Sequence, residues 1–191
     1  MRLVARLFGV MAFSFFATAA FSSSDAAVAS MERKLQNLES NAAATKPDPA
    51  PTEFTEQEIN AYFAAGRVKL PLGVQSVAFQ AQPGQINATS RVDFDQLKAG
   101  RSSANPLLTI FSGIHQVEVS AHAYGINGQG MVQVESVALD GVEIPRFVLQ
   151  LFVEKYVKPR YPAAGLDSRF ALPEKIDRAT VGLHKLTVTQ K

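Results

Sequence analysis

The chain has 191 residues, of which 47% are hydrophobic, and its 19 Lys and Arg against 17 Asp and Glu give a formal net charge of +2. It contains no cysteine, which excludes disulfide bonds, thiolate metal ligands and an acylated lipoprotein cysteine. The basic residues are dispersed rather than gathered into a stripe, so no nucleic-acid partner is expected.

The N-terminal stretch has the layout of a secretory signal peptide. Two arginines precede an apolar run from about Leu7 to Phe16, and small residues follow in A-x-A patterns that end at Ala19 and Ala29. Because this run is too short to span a bilayer comfortably, residues 1–29 are predicted to be a signal peptide. The protein is then expected to be exported to the periplasm or cell envelope. An uncleaved membrane anchor is the alternative.

A polar segment and a single domain are predicted to follow. Residues 30–51 are rich in Ala and Pro and are interpreted as a linker, with a short helix over Met31 to Leu38 and an extended stretch over Lys46 to Pro51. Residues 52–191 are long enough for one two-layer α+β domain.

The segment FTEQEINAYFAAG carries clear helix signals. Thr55 and Glu58 have the spacing of a capping box, in which the threonine caps the helix and the glutamate reaches back to it. Phe54 and Ile59 occupy the two positions of a hydrophobic staple. Gly66 stands where a left-handed residue would end the helix. This pattern predicts a capped N-terminal helix.

Several later segments alternate between apolar and polar residues, as strands with one buried face do. Pro83-Gly84 and Asp140-Gly141 are turn signals between such segments, and the second is typical of a tight hairpin. Two short strand-like runs, Ala179 to Leu183 and Leu186 to Thr189, end the chain. The pattern predicts an antiparallel meander with one buried face. The four longer segments are VQSVAFQAQ, INATSRVDF, HQVEVSAHAY and MVQVESVAL.

The segment DGVEIPRFVLQLFVEKYVKP contains a helix with little polar surface. Pro145 suits its first turn, and the polar residues around 147–157 recur every fourth position in one narrow stripe. A helix that covers an ordinary core is apolar on about a third to a half of its circumference. This helix is apolar on more, so it is expected to bury two sides.

Motifs that would indicate catalysis or metal binding are missing from the sequence. The three histidines lack the spacing of a helical zinc motif, and no G-x-S-x-G elbow or phosphate-binding glycine loop occurs. Asp93 and Asp95 are interpreted as residues of a solvated strand edge. The protein is therefore expected not to be an enzyme, and neither a cofactor nor a metal is expected, although an unusual hydrolytic site stays an alternative.

The order of these pieces resembles a known family. The capped helix FTEQEINAYF, the meander, VALDGVEIP with its apolar helix, and FALP with a closing strand pair resemble exported bacterial domains of the LmeA-like phospholipid-binding type, and also the YpmS family. Both are similar to one half of a tubular lipid-binding domain. The resemblance covers roughly residues 53–190. It implies a curved sheet wrapped around a long apolar helix, with an apolar cleft for acyl chains.

The resemblance implies a lipid or acyl-chain ligand and peripheral contact with a membrane. One side of the apolar helix would cover the sheet and the other would line a groove, since ligand pockets are mostly apolar with few polar groups. There are two alternatives to a ligand groove. The second side of the helix could be covered by the protein's own core, or a partner protein could dock on it, in which case the protein would be a scaffold. The candidate ligand-binding residues are Tyr62, Phe63, Phe147, Val148, Leu151 and Phe152.

Overall fold

The computed structural model describes residues 23–101, 104–162 and 164–191. Within them, nine strands form one antiparallel sheet accompanied by four α-helices, which confirms the α+β class. The strands are β1 (Thr52–Thr55), β2 (Val74–Gln82), β3 (Gln85–Asp93), β4 (Ile114–Ile126), β5 (Gln129–Leu139), β6 (Val142–Glu143), β7 (Asp167–Ala171), β8 (Ile176–Gly182) and β9 (Lys185–Gln190). The helices are α1 (Ser23–Ala43), α2 (Glu56–Ala64), α3 (Phe94–Lys98) and α4 (Arg146–Phe152), with a 3₁₀ turn over Pro106–Leu108 and a π-helical turn over Val153–Val157.

The alternating segments form the long strands, as predicted. In β4, Ala121 and Ala123 are buried whereas His122 and Tyr124 are exposed, so side chains on successive residues point to opposite faces. Two strands were not predicted. One is β1, which pairs with β9. The other is β7, an edge strand that pairs with β5 and is exposed at nearly every residue. Because it buries little on either face, its sequence carries no alternation to detect.

Strand β4 is the centre of the sheet. It pairs with β3 along its first part, with β5 on its other side, and with β8 beyond the end of β3. The sheet order is β1-β9-β8-β4-β3-β2, and β5 carries β6 and β7 on the other side of β4. The predicted hairpin at Asp140-Gly141 is confirmed, since both residues have positive φ (48° and 81°) as a type I′ turn requires.

Helices α2 and α4 cover the same face of the sheet. Phe63 of α2 makes an edge-to-face contact with Phe79 of β2, with ring centroids 5.0 Å apart. Phe79 lies opposite Ala88, and Ala88 lies opposite Val119. Val119 packs against the hydrophobic cluster that contains α4. Since directly opposite residues share a face, both helices lie on the same side.

The capping signals of α2 are confirmed, but the longest helix is α1 rather than the predicted long apolar helix. Thr55 and Glu58 form the capping box, and Phe54 and Ile59 belong to one cluster. The predicted linker over residues 30–51 is helical as far as Ala43. Its alanines favour a helix strongly, and the apolar side chains on its inner face follow helical spacing. Those side chains are Met31, Leu35 and Leu38.

The predicted signal peptide lies largely outside the described residues, including the cleavage site after Ala19. The other site, after Ala29, falls inside α1, where cleavage would remove the buried residues Ala27 and Val28. In the part of the chain that the structure describes, no helix is both long and apolar enough to cross a bilayer.

A buried carboxylate holds α1 against α2. Glu58 is 7% exposed and accepts hydrogen bonds from Ser30 Oγ at 2.6 Å, from Lys34 Nζ at 2.7 Å and from the Thr55 backbone at 2.8 Å. Burial by itself would raise the pKa of Glu58, but these hydrogen bonds and the charge of Lys34 outweigh burial and bring the pKa to about 2. The ionised form of Glu58 therefore stabilises the packing of α1.

We expect Glu58→Gln to lower the free energy of unfolding by about 1–3 kcal/mol at pH 7, because charge-assisted hydrogen bonds to a buried group are lost. Since the pKa of Glu58 is lowered in the folded state, its contribution is present above about pH 4.5 and is lost as the pH falls towards 2. Urea unfolding between pH 7 and pH 2.5 measures both effects.

The matched control is Glu32→Gln, which removes the exposed ion pair with Arg67 and should cost at most about 1 kcal/mol. Equal losses in the two variants would show that Glu58 does not hold α1.

A candidate ligand-binding cleft

One side of α4 packs into the main hydrophobic cluster. Phe152 has its ring centroid 4.2 Å from that of Phe111 and 5.5 Å from that of Phe94, and Tyr156 follows at 5.2 Å from Phe152. Phe111 is only 1% exposed. Sequence analysis placed Phe94 at the end of the predicted strand INATSRVDF, although it is the first residue of α3. Phe111 was not assigned, because it lies outside the alternating segments.

The second side of α4 is not buried, contrary to the prediction. Phe147 is 60% exposed and Leu151 is 39% exposed. The polar stripe is present as predicted: Gln150 donates to Glu154 at 2.7 Å, and Lys158 forms an ion pair with the same glutamate. Helix α4 therefore exposes two large apolar side chains beside a polar stripe.

The six predicted ligand-binding residues lie in three different parts of the structure. Val148 and Phe152 lie in the core beneath α4, whereas Phe147 and Leu151 lie exposed on its outer side. Phe63 lies on α2 against β2, and Tyr62, its half-buried neighbour, lies on the same helix. The six do not line one groove, and ligand binding by any of them stays a prediction.

The C-terminal end of the same helical segment does line an apolar cleft. The cleft has a volume of about 300 Å³, and the π-helical turn supplies part of its wall. Such turns occur frequently at functional sites in helices. We call this the α4 cleft; its walls are Pro71, Leu72, Val74, Leu97, Tyr156, Val157, Arg160, Tyr161 and Ala164.

A glycine brings the distant segments of the α4 cleft together. Gly73 has a φ of +91°, and a Cβ there would lie 2.4 Å from the Asp93 carbonyl oxygen and 2.7 Å from the Leu97 backbone nitrogen. Its carbonyl oxygen accepts a 2.7 Å hydrogen bond from the Asp93 backbone. Only glycine permits this approach, which places Leu72 and Val74 beside α3.

Arg160 supplies the charge at the α4 cleft. This residue is half-buried, and its Nη1 donates to the Leu97 carbonyl oxygen at 2.9 Å, which ties the end of the π-helical turn to α3. Leu72 is 58% exposed, so the cleft is open to solvent. The site therefore combines apolar walls with one guanidinium. Sequence analysis missed Leu72, Leu97 and Arg160, which lie outside any periodic pattern.

A smaller apolar cleft lies under α2. Its volume is about 190 Å³, and two charged residues, Glu56 and Lys185, line it. Glu56 accepts from the Ala81 backbone and from His184, which lower the pKa of its carboxyl, and Lys185 pairs with Glu53 at 2.7 Å. Both charged side chains of this α2 cleft thus already have protein partners. The apolar wall is formed by Ile59, Phe63, Phe79, Ala81, Ile86, Val181 and Leu186.

A third, polar cleft contains a histidine–aspartate pair. His115 Nδ1 lies 2.6 Å from Asp140 Oδ2, and its Nε2 lies 2.7 Å from the Ser112 carbonyl oxygen. The hydrogen bond to Asp140 is the main cause that raises the pKa of His115. Because both ring nitrogens face acceptors, the charged imidazolium suits this site, and neither nitrogen is directed at a hydroxyl.

The two other acidic candidates cap backbone groups. Asp93 accepts from the Asp95 and Gln96 backbones as the N-cap of α3, and Asp95 accepts from the Gly113 backbone. They were interpreted as residues of a strand edge, but their place at a helix start explains their spacing. In the described residues, no group of three or more metal-ligating side chains comes together.

In comparisons with protein-family models, curated proteins and solved structures, nothing matches this chain. The resemblance to LmeA-like domains therefore stays a prediction.

Two phenylalanines on the same helix test the assignment of its faces. Phe152→Ala should lower the free energy of unfolding by about 3–5 kcal/mol, because it leaves a cavity beside Phe111. Phe147→Ala should change the free energy by about 0.5 kcal/mol or less, because its side chain is largely exposed. Urea denaturation measures both values, and similar losses would contradict the orientation of α4.

Proposed function

We propose that this protein is an exported, non-enzymatic module that binds a lipid or another apolar ligand in the cell envelope. The observation that carries the proposal is the α4 cleft, where Leu72 and Leu97 face Tyr156 and Val157 across an open apolar space. Concave apolar walls with few polar groups are the usual surroundings of such ligands. The signal-like N-terminal sequence supports action outside the cytoplasm.

The finer architecture belongs to the same proposal. We infer that the sheet curves around the helices on its covered face, so that an acyl chain entering the α4 cleft would run between helix and sheet. Small residues on that face, Ala88, Ala121 and Ala123, support this arrangement because small side chains let covering groups lie close to the strands. The resemblance to phospholipid-binding domains is consistent with it.

Leu72→Glu tests binding at the α4 cleft. Leu72 is 58% exposed, so the substitution should leave the fold intact, but it places a charge where an acyl chain would lie. We expect it to weaken binding of a fluorescent acyl probe about tenfold or more, as measured by fluorescence titration.

The control is Leu183→Glu, in which an equally exposed leucine (61%) outside the α4 cleft receives the same charge. Binding should be unchanged in this variant. Saturable wild-type binding that both variants weaken equally would place the ligand elsewhere, and no wild-type binding would refute the proposal. Native mass spectrometry of protein purified from its own host then identifies a bound lipid by mass.

The second candidate function is a scaffold that docks on another envelope protein, or on a membrane surface, through α4. It is favoured by the exposed pair Phe147 and Leu151, because exposed apolar patches often mark interaction sites. The neighbouring 3₁₀ segment touches α4 and adds Leu107, and Ile110 follows two residues after that segment; both side chains are more than 40% exposed.

Replacing Phe147 with a photo-crosslinking amino acid tests whether α4 docks on a partner protein. We expect one discrete protein adduct in cells, and none from the control position 183, which is equally exposed but lies on the β8–β9 turn. The double substitution Phe147→Ser with Leu151→Ser should abolish pelleting with lipid vesicles if the patch contacts a bilayer instead. Neither adduct nor vesicle binding would exclude α4 as an interaction surface.

A further inference from the structure

Arg160 has unused hydrogen-bonding capacity in an apolar setting. A guanidinium carries five N–H donors, and among the described residues the side chain of Arg160 has one partner, the Leu97 carbonyl oxygen. The residue is half-buried and lies in the wall of the α4 cleft. Holding a cation beside apolar side chains without an anion is costly, so this site favours a negatively charged partner.

The carboxylates on α3 and on the π-helical turn have other partners. Asp95, on α3, binds Lys98 at 3.2 Å and the Gly113 backbone at 3.0 Å. Glu154, six residues before Arg160, binds both Gln150 and Lys158. In the described part of the chain, no ion pair neutralises Arg160. The anion that complements it would therefore come with the ligand.

We infer that the α4 cleft binds a single-chain amphiphile whose anionic headgroup is held by Arg160. This inference rests on the proposed function and specifies its ligand. The guanidinium fork suits two oxygens of a carboxylate or phosphate, which it binds bidentately. The apolar walls receive the chain. A volume of about 300 Å³ lies at the lower end of ligand pockets, so the site accommodates one chain rather than two.

Three amphiphiles with the same hydrocarbon chain test the headgroup. They are a long-chain fatty acid, the corresponding uncharged fatty alcohol and the corresponding lysophosphatidic acid. Isothermal titration calorimetry on the full purified protein, below the critical micelle concentration of each ligand, measures affinity. We expect both anionic ligands to bind more tightly than the alcohol. The ratio between the two anionic ligands then tells whether carboxylate or phosphate is preferred.

Arg160→Gln tests the residue itself. We expect it to weaken binding of the preferred anionic ligand about ten- to hundredfold more than binding of the alcohol, because the charge-assisted hydrogen bond to the headgroup is lost only with the anionic ligand, whereas loss of the bond to Leu97 affects both ligands alike. Arg160→Lys keeps the charge but loses the fork, so it should give an intermediate affinity. The control is Arg67→Gln, which removes an exposed arginine outside the α4 cleft and should bind like wild type.

The outcomes separate this inference from the proposed function. Equal binding of acid and alcohol by the wild-type protein would overturn the role of Arg160 but keep apolar ligand binding. An anionic preference that survives in Arg160→Gln would also overturn it. Failure of all three amphiphiles to bind would overturn the proposed function as well. If Arg160→Gln proves unstable, the affinities of the wild-type protein for the acid and the alcohol still test the anionic preference, because that comparison needs no variant.

Discussion

The packing of Phe152 against Phe111 and Phe94 determines what the rest of α4 can do. Its ring lies within 4.2 and 5.5 Å of theirs, and Phe111 is the most deeply buried of the three. Because an α-helix turns by a fixed angle at each residue, the position of Phe152 sets the orientation of α4, and the π-helical turn continues from it. Phe147 and Leu151 must then lie outside, and Tyr156 and Val157 must reach the α4 cleft. The aromatic packing of Phe152 thus links the core beneath α4 to the position of the α4 cleft.

Much of the fold could be predicted from local patterns. Strands such as β4 bury one face, so alternation reveals them, and α2 begins with a capping box that involves neighbouring residues only. Of helix α1, only the part from Met31 to Leu38 was predicted, because the alanines and polar residues around it resemble a linker. Its stability depends on contacts with distant residues, such as Lys34 with Glu58, that no local pattern encodes. Strand β7 exists because β5 offers an edge to pair with.

The candidate site was less predictable than the fold, for a related reason. Tyr156 lies near the end of the predicted apolar helix, but Leu72 and Leu97 come from segments far away in sequence. They meet it because Gly73 packs directly on the backbone at Asp93 and Leu97. A glycine in a loop has many explanations in sequence, and the close approach becomes visible only in three dimensions. Arg160 likewise appeared to be one of many dispersed basic residues.

The contrast between the two apolar clefts argues for a ligand at one of them. At the α2 cleft, Lys185 already forms an ion pair with Glu53, and Glu56 is hydrogen-bonded to His184 and to the Ala81 backbone. At the α4 cleft, Arg160 is bound by a neutral carbonyl group. A half-buried cation without an anion among the described residues would gain more from an anionic ligand than a paired cation can, since no existing ion pair must first be broken. The same apolar surroundings that make Arg160 costly in the free protein strengthen its interaction with a bound headgroup.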